Sequence, residues 1–200
     1  MKVNEVLTED KLASPARILT LLQQNCKPFL SQVGWNDILW RGVSDPLPSV
    51  SIQTNRPGRR PVTTQRAISK AADDWFLEHT GVRYRSNSVF TSGNPSHSSS
   101  YGEVYAVFPI GDFKFCWSPI VEDMFVMVSD LQPHVDRNAT ELPPYVKLEI
   151  EKRLDNAEYK TDDLVAATGS NSETMVHCGK YYMLDKDTFI AVRNIALGQK

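Results

Sequence analysis

The chain has 200 residues, of which 41% are hydrophobic, 10% aromatic and 23% charged, with a formal net charge of −2. This composition excludes a disordered or collagen-like chain and suits one globular domain over 1–200. No apolar run approaches the ~18–20 residues of a membrane span, and MKVNEVLTED lacks the apolar stretch of a secretory leader, so no membrane partner is expected.

From the N-terminus, Ser14-Pro15 reads as a cap with proline in the first helical turn, and Ile18, Leu19, Leu21 and Leu22 predict a helix over 14–25. A short apolar piece follows Cys26-Lys27-Pro28. Ile38, Leu39 and Trp40 then predict a strand that runs into Arg41-Gly42. Residues 44–64 contain four prolines around SVSIQT at 49–54, an edge strand or loop. Arg56, Arg59 and Arg60 make the second half basic, as a solvated loop or an anion-binding arm.

Thr64 is expected to cap a helix carrying Ala67, Ile68, Ala71, Ala72, Trp75 and Phe76, with Gly81 just past its end. The stretch GVRYRSNSVFTSG at 81–93 has two arginines and a β-prone Val-Phe pair. It predicts a buried strand ending in an exposed, hydrogen-bonding lip. SGNPSHSSSYGE at 92–103 reads as a mobile loop. Glu103–Pro109 and Phe113–Trp117 are expected to form a hairpin around Gly111-Asp112. Ser118-Pro119 with Ile120, Met124, Val128 and Leu131 predicts a helix ending before Pro133, and Val146, Ile150 and Leu154 predict another after Pro143-Pro144. A helical turn at 161–167 and three closing strands, Thr174–Cys178, Lys180–Leu184 and Thr188–Arg193, complete an antiparallel α+β reading.

Residues 1–100 carry 12 Lys/Arg against 8 Asp/Glu, whereas residues 101–200 carry 10 against 16. A mildly basic half therefore faces an acidic one, which permits an anionic ligand or a local nucleic-acid contact on the basic side. Cys26, Cys116 and Cys178 are odd in number and widely spaced, which fits a reducing compartment. His79, His97, His134 and His177 show no zinc-ligand spacing, so no metal is expected.

Three polar features stand at strand ends far apart in sequence: Leu39-Trp40-Arg41-Gly42, Ser88-Val89-Phe90-Thr91-Ser92 and Ser172-Glu173-Thr174-Met175-Val176. In this order the chain resembles the ADP-ribosyltransferases of the Arg-Ser-Glu type over residues 35–195, and most of all their compact phage or bacterial members. The resemblance implies split antiparallel sheets with flanking helices, NAD as substrate, and a toxin or phage role in the cytoplasm of a bacterial host cell. Arg41 would anchor the dinucleotide beside Gly42, because its planar fork of donors suits phosphate oxygens. Glu173 would stabilise the cationic ribose as nicotinamide leaves. Either Ser88 or the Thr91-Ser92 pair would occupy the family's serine position, and Tyr101 would stack on nicotinamide.

Asn171 stands where arginine-modifying members have a second glutamate. An amide there suits an acceptor read through donors and acceptors, so RNA or DNA is expected as acceptor at least as much as protein arginine, with Arg56, Arg59 and Arg60 on its phosphates or on NAD. The competing expectation is a protein that keeps the fold without chemistry, or a nucleic-acid-binding module built on the basic loop.

Overall fold

The computed structural model describes residues 14–58 and 64–199. Among them, β1 (Leu39–Val43), β2 (Val50–Thr54), β3 (Val89–Thr91), β4 (Glu103–Trp117) and β5 (Thr174–Asp185) form one antiparallel sheet in the order β1-β4-β5-β2, with β3 also on β5. β2 pairs with β5 over 180–184 and β3 pairs with it over 174–176, so the two short strands share one edge of β5 end to end.

The sheet is sharply coiled. Trp40 lies opposite Ala106 at one end of β4, while Trp117 at the other end lies opposite Thr174, the partner of Thr91. Were β4 straight, its residues 106 and 117 would stand about 36 Å apart at ~3.3 Å per residue. Yet Trp40 and Ser92 exchange backbone hydrogen bonds of 2.8 and 2.9 Å, so β1 and the end of β3 meet. The bend that allows this is the irregularity between Ile110 and Phe113, where Gly111 takes a φ of +71°. A bulge kinks a strand and increases its twist. Residues 103–117 are therefore one bent strand and not the expected hairpin, because Gly111-Asp112 is spent on the bulge.

Side chains alternate across the strands and divide the core between the two faces. Phe115, Trp117 and Val176 join Phe29, Leu39, Phe108 and Leu184 under α1 (Pro15–Asn25), α2 (Lys27–Val33), α8 (Leu164–Thr168) and α9 (Lys186–Ala196). Cys116 and Met175 join Ile68, Phe76, Ile150 and Leu154 under α3 (Arg66–Thr80), α6 (Met124–Val128) and α7 (Pro144–Asn156). Ser14 caps α1 by accepting from Arg17 N, and Gly81 ends α3 in the left-handed conformation, both as the residue pattern predicts.

Several expectations are corrected. Residues 188–193 lie in α9, because Asp185 accepts from Thr188 N at 2.7 Å and Phe189 and Val192 bury one helical face. Residues 174–185 are one strand, with no turn at Gly179. α6 begins at Met124, capped by Asp123, because the Ser118 hydroxyl instead accepts from the amides of Ile120 and Val121 in a tight turn. Pro133 lies inside the 3-10 turn 129–134 that follows. The N-cap of α3 is Gln65 and not Thr64. No helix among the described residues is long and apolar enough to cross a membrane.

Candidate active site

The coil of the sheet brings residue 41 of β1, residues 90 and 91 of β3 with Ser92 just after it, and residue 173, just before β5, to one hollow of about 350 Å³. Arg41, Gly42, Thr91, Ser92, Tyr101 and Glu173 all line it. The stretch after β3, expected to be a loop over 92–103, is partly helical. It turns into α5 (Pro95–Ser99), capped by Asn94, and Ser98 is buried with its hydroxyl donating to Trp40 O at 3.1 Å.

Arg41 donates through Nη1 to Phe90 O at 2.9 Å, which fixes the guanidinium across the β1–β3 junction. Burial lowers its pKa from the ordinary arginine value, the nearby Tyr181 opposing this, and the group stays charged at any working pH. Among the described residues no carboxylate forms an ion pair with it. A half-buried cation in that position is a ready partner for an anion.

Gly42 has a packing reason of its own. A Cβ on it would come within 2.0 Å of Ser98 O and 2.9 Å of Tyr101 Cβ, since the α5 segment crosses β1 there. Gly42→Ala is expected to push α5 off β1 and cost on the order of 1–3 kcal/mol, as overpacking does. An unchanged midpoint in urea unfolding would contradict this.

The Thr91 hydroxyl donates to Thr174 O at 2.7 Å, and that of Ser92 donates to Asn171 O at 3.1 Å while accepting from Asn94 N. Both side chains are buried and not on an exposed lip. With their protons committed to carbonyls, they offer a ligand lone pairs only. Ser88 is buried but does not line the hollow. It precedes β3, four residues or about 13 Å of extended chain from Ser92. Of the two expected positions, Thr91-Ser92 lines the hollow and Ser88 does not.

Tyr101 lines the hollow with its hydroxyl 3.3 Å from Asp123 Oδ2. Partial burial first, and then the Asp123 carboxylate, raise its pKa. Asn171 is exposed, does not line the hollow, and accepts through Oδ1 from Asn94 Nδ2 at 2.9 Å. Arg56 is exposed beyond β2 and apart from the hollow. Arg59 and Arg60 lie outside the described residues.

The residue of the hollow that sequence reasoning missed is Arg85. It stands in α4 (Tyr84–Asn87), a helical turn that replaces the first half of the expected strand. Its Nη1 contacts Glu173 Oε1 at 2.5 Å, with side-chain exposures of only 9% and 18%. Its guanidinium also lies over the Phe90 ring at 4.5 Å, and Asp73 accepts from its backbone N at 2.7 Å. The signal available in the sequence was an arginine five residues before Phe90 in a stretch too polar for pure core. The three cysteines are free and buried, with burial pushing Cys26 and Cys178 up to about 12, so as thiols they are poor nucleophiles.

Comparison with known protein families, curated proteins and solved structures finds no match to this chain. The functional reading therefore stands on the hollow itself and on the ordered motifs that converge there.

Proposed function

We propose that the chain is an NAD-dependent ADP-ribosyltransferase of the Arg-Ser-Glu type that passes ADP-ribose to a macromolecular acceptor and releases nicotinamide. The observation that carries this reading is the convergence of Arg41 from the middle of β1, Thr91-Ser92 from the end of β3 and Glu173 from just before β5 in one hollow that Tyr101 borders. At about 350 Å³ the hollow has room for the nicotinamide and its ribose, at the small end of the ~300–1,000 Å³ typical of ligand pockets. The adenosine half extends over the open rim.

In the proposed step the bond between nicotinamide nitrogen and ribose carbon breaks, and its electron pair leaves on nicotinamide. Positive charge develops on the ribose, where the Glu173 carboxylate stabilises it, and an acceptor nucleophile then supplies the electron pair for the new bond. Arg41 holds the diphosphate, whose charge its fork of donors matches. Thr91 and Ser92 accept from ribose hydroxyls or the carboxamide. Asn171, two residues before Glu173, carries no charge with which to deprotonate a guanidinium, which favours a nucleic acid or a neutral side chain as acceptor.

One observation favours a second reading, a nucleotide-binding protein without turnover. Glu173 is in contact with Arg85, and a carboxylate beside a guanidinium stabilises a ribosyl cation less than a lone one would. Incubation with NAD labelled in the adenylate half, scored for free nicotinamide and for label on RNA, DNA and protein, separates the two. Nicotinamide release with labelled macromolecule supports the transferase; binding of NAD with neither product supports the second reading.

Arg41→Lys is expected to weaken NAD binding at least several-fold, because a point charge replaces a bidentate fork. Calorimetry with NAD checks this, and an unchanged affinity would take Arg41 out of the site.

A further inference from the structure

One wall of the hollow is not used by the proposed reaction. Thr64, Ser69 and Arg85 line it, and their side-chain atoms Thr64 Oγ1, Ser69 Oγ and Arg85 Nε are buried without a hydrogen-bond partner among the described residues. Thr64 is 4% exposed, Ser69 7% and the Arg85 side chain 9%. Thr64 and Ser69 bracket the start of α3, whose N-cap, Gln65, makes no capping bond. The Gln65 side chain turns away and donates to Gln132 O and Val135 O instead.

The first bond that closes α3 is Ser69 N to Gln65 O, so the amides of Arg66, Ala67 and Ile68 have no acceptor among the described residues, although Ile68 is 0% exposed. Buried donors without acceptors are costly. Ser69 lies one turn before Asp73, the residue that holds the backbone of Arg85, so the helix end and the guanidinium are joined through one face of α3. The carboxylates nearby have donors of their own: Asp73 accepts from Arg85 N and Ser86 N, Asp123 from Phe125 N and Tyr101, and Glu173 from Arg85. What remains on this wall, uncommitted among the described residues, are the hydroxyls of Thr64 and Ser69 and Arg85 Nε, beside the positive end of a 15-residue helix.

We infer that the uncapped start of α3, with Thr64, Ser69 and Arg85 Nε, is an oxyanion site that holds a phosphate group. A phosphate supplies the acceptors that these donors lack, and helix N-termini bind such groups. The site exists whether or not NAD is cleaved; only the source of the phosphate rests on the proposed function. It is either the diphosphate of the dinucleotide or a phosphate of the acceptor.

Inorganic phosphate is the probe, titrated into the full chain by calorimetry. Saturable binding is expected, weakened roughly three- to tenfold by Ser69→Ala and again by Thr64→Val, the range expected for one hydrogen bond. The same substitutions leave the thermal midpoint without phosphate unchanged or raise it, since each removes a buried hydroxyl without a partner. A merely structural role would lower it. Should Thr64→Val fail to fold, Ser69→Ala carries the test alone. Repeating the titration with saturating ADP-ribose identifies the source: competition assigns the site to the dinucleotide, and undiminished phosphate binding assigns it to the acceptor. No saturable binding, or equal binding by wild type and variants, overturns the inference. A chain that binds phosphate but releases no nicotinamide overturns the proposed function and leaves the site standing.

Discussion

Glu173→Gln is expected to lower the rate of nicotinamide release from NAD by about 10²–10³-fold, the usual cost of losing a preorganised electrostatic group. Glutamine keeps the shape of the side chain and an oxygen for Arg85, but it has no charge to place against the ribosyl cation. Glu173 N also donates to Glu122 O at 2.7 Å, so the backbone that aims the side chain is held independently of the carboxylate. The fold should therefore survive at lower stability, since Arg85 loses its counter-charge, with circular dichroism retained and a cooperative thermal transition at a reduced midpoint. Affinity for NAD should change far less than turnover, because the charge matters most where the glycosidic bond is breaking. Near-normal release by a folded Glu173→Gln protein would end the mechanism.

The coarse α+β character and several helices are legible in the sequence, and for local reasons. Ser14 and Gly81 act through hydrogen bonds and dihedrals of their own neighbours, so α1 and the end of α3 follow from a few adjacent residues. Val146, Ile150 and Leu154 are buried on one face of α7 as their spacing requires. The errors have a common cause in signals that depend on distant partners. Gly111-Asp112 looks the same in a hairpin turn as in a bulge, and only pairing with β5 on both sides of it makes β4 one strand. The β-branched and aromatic residues of 188–193 suggest a strand until Asp185 is seen capping α9.

The candidate site divides in the same way. That Arg41, Thr91-Ser92 and Glu173 line one hollow was legible from their polar character beside apolar strand residues, although Arg41 stands in the middle of β1 and not at the strand end expected of it. Ser88 was not separable from them, since a sequence does not say at which end of a short strand the hollow lies. Arg85 was hidden more deeply. Its partner is 88 residues away, and nothing in YRSN announces that its second residue crosses to the start of the last strand.

That contact supports the second large effect expected of this chain. Arg85→Met should destabilise the fold by about 3–5 kcal/mol, the usual result of breaking a buried ion pair by removing one partner. Methionine keeps an unbranched apolar stem against Phe90, so most of the loss falls on the electrostatic partnership and not on packing. Glu173 then keeps its charge at 18% side-chain exposure without the guanidinium at 2.5 Å. In a Glu173→Gln background the same Arg85→Met change should cost much less, because a neutral amide needs no counter-charge. Urea unfolding of the four proteins closes a double-mutant cycle, and a coupling of more than about 1 kcal/mol is expected, within the 0.5–3 kcal/mol seen for residues in contact. If Arg85→Met costs the same in both backgrounds, the pair is not what holds Glu173. Arg85 would then be a packing residue of α4.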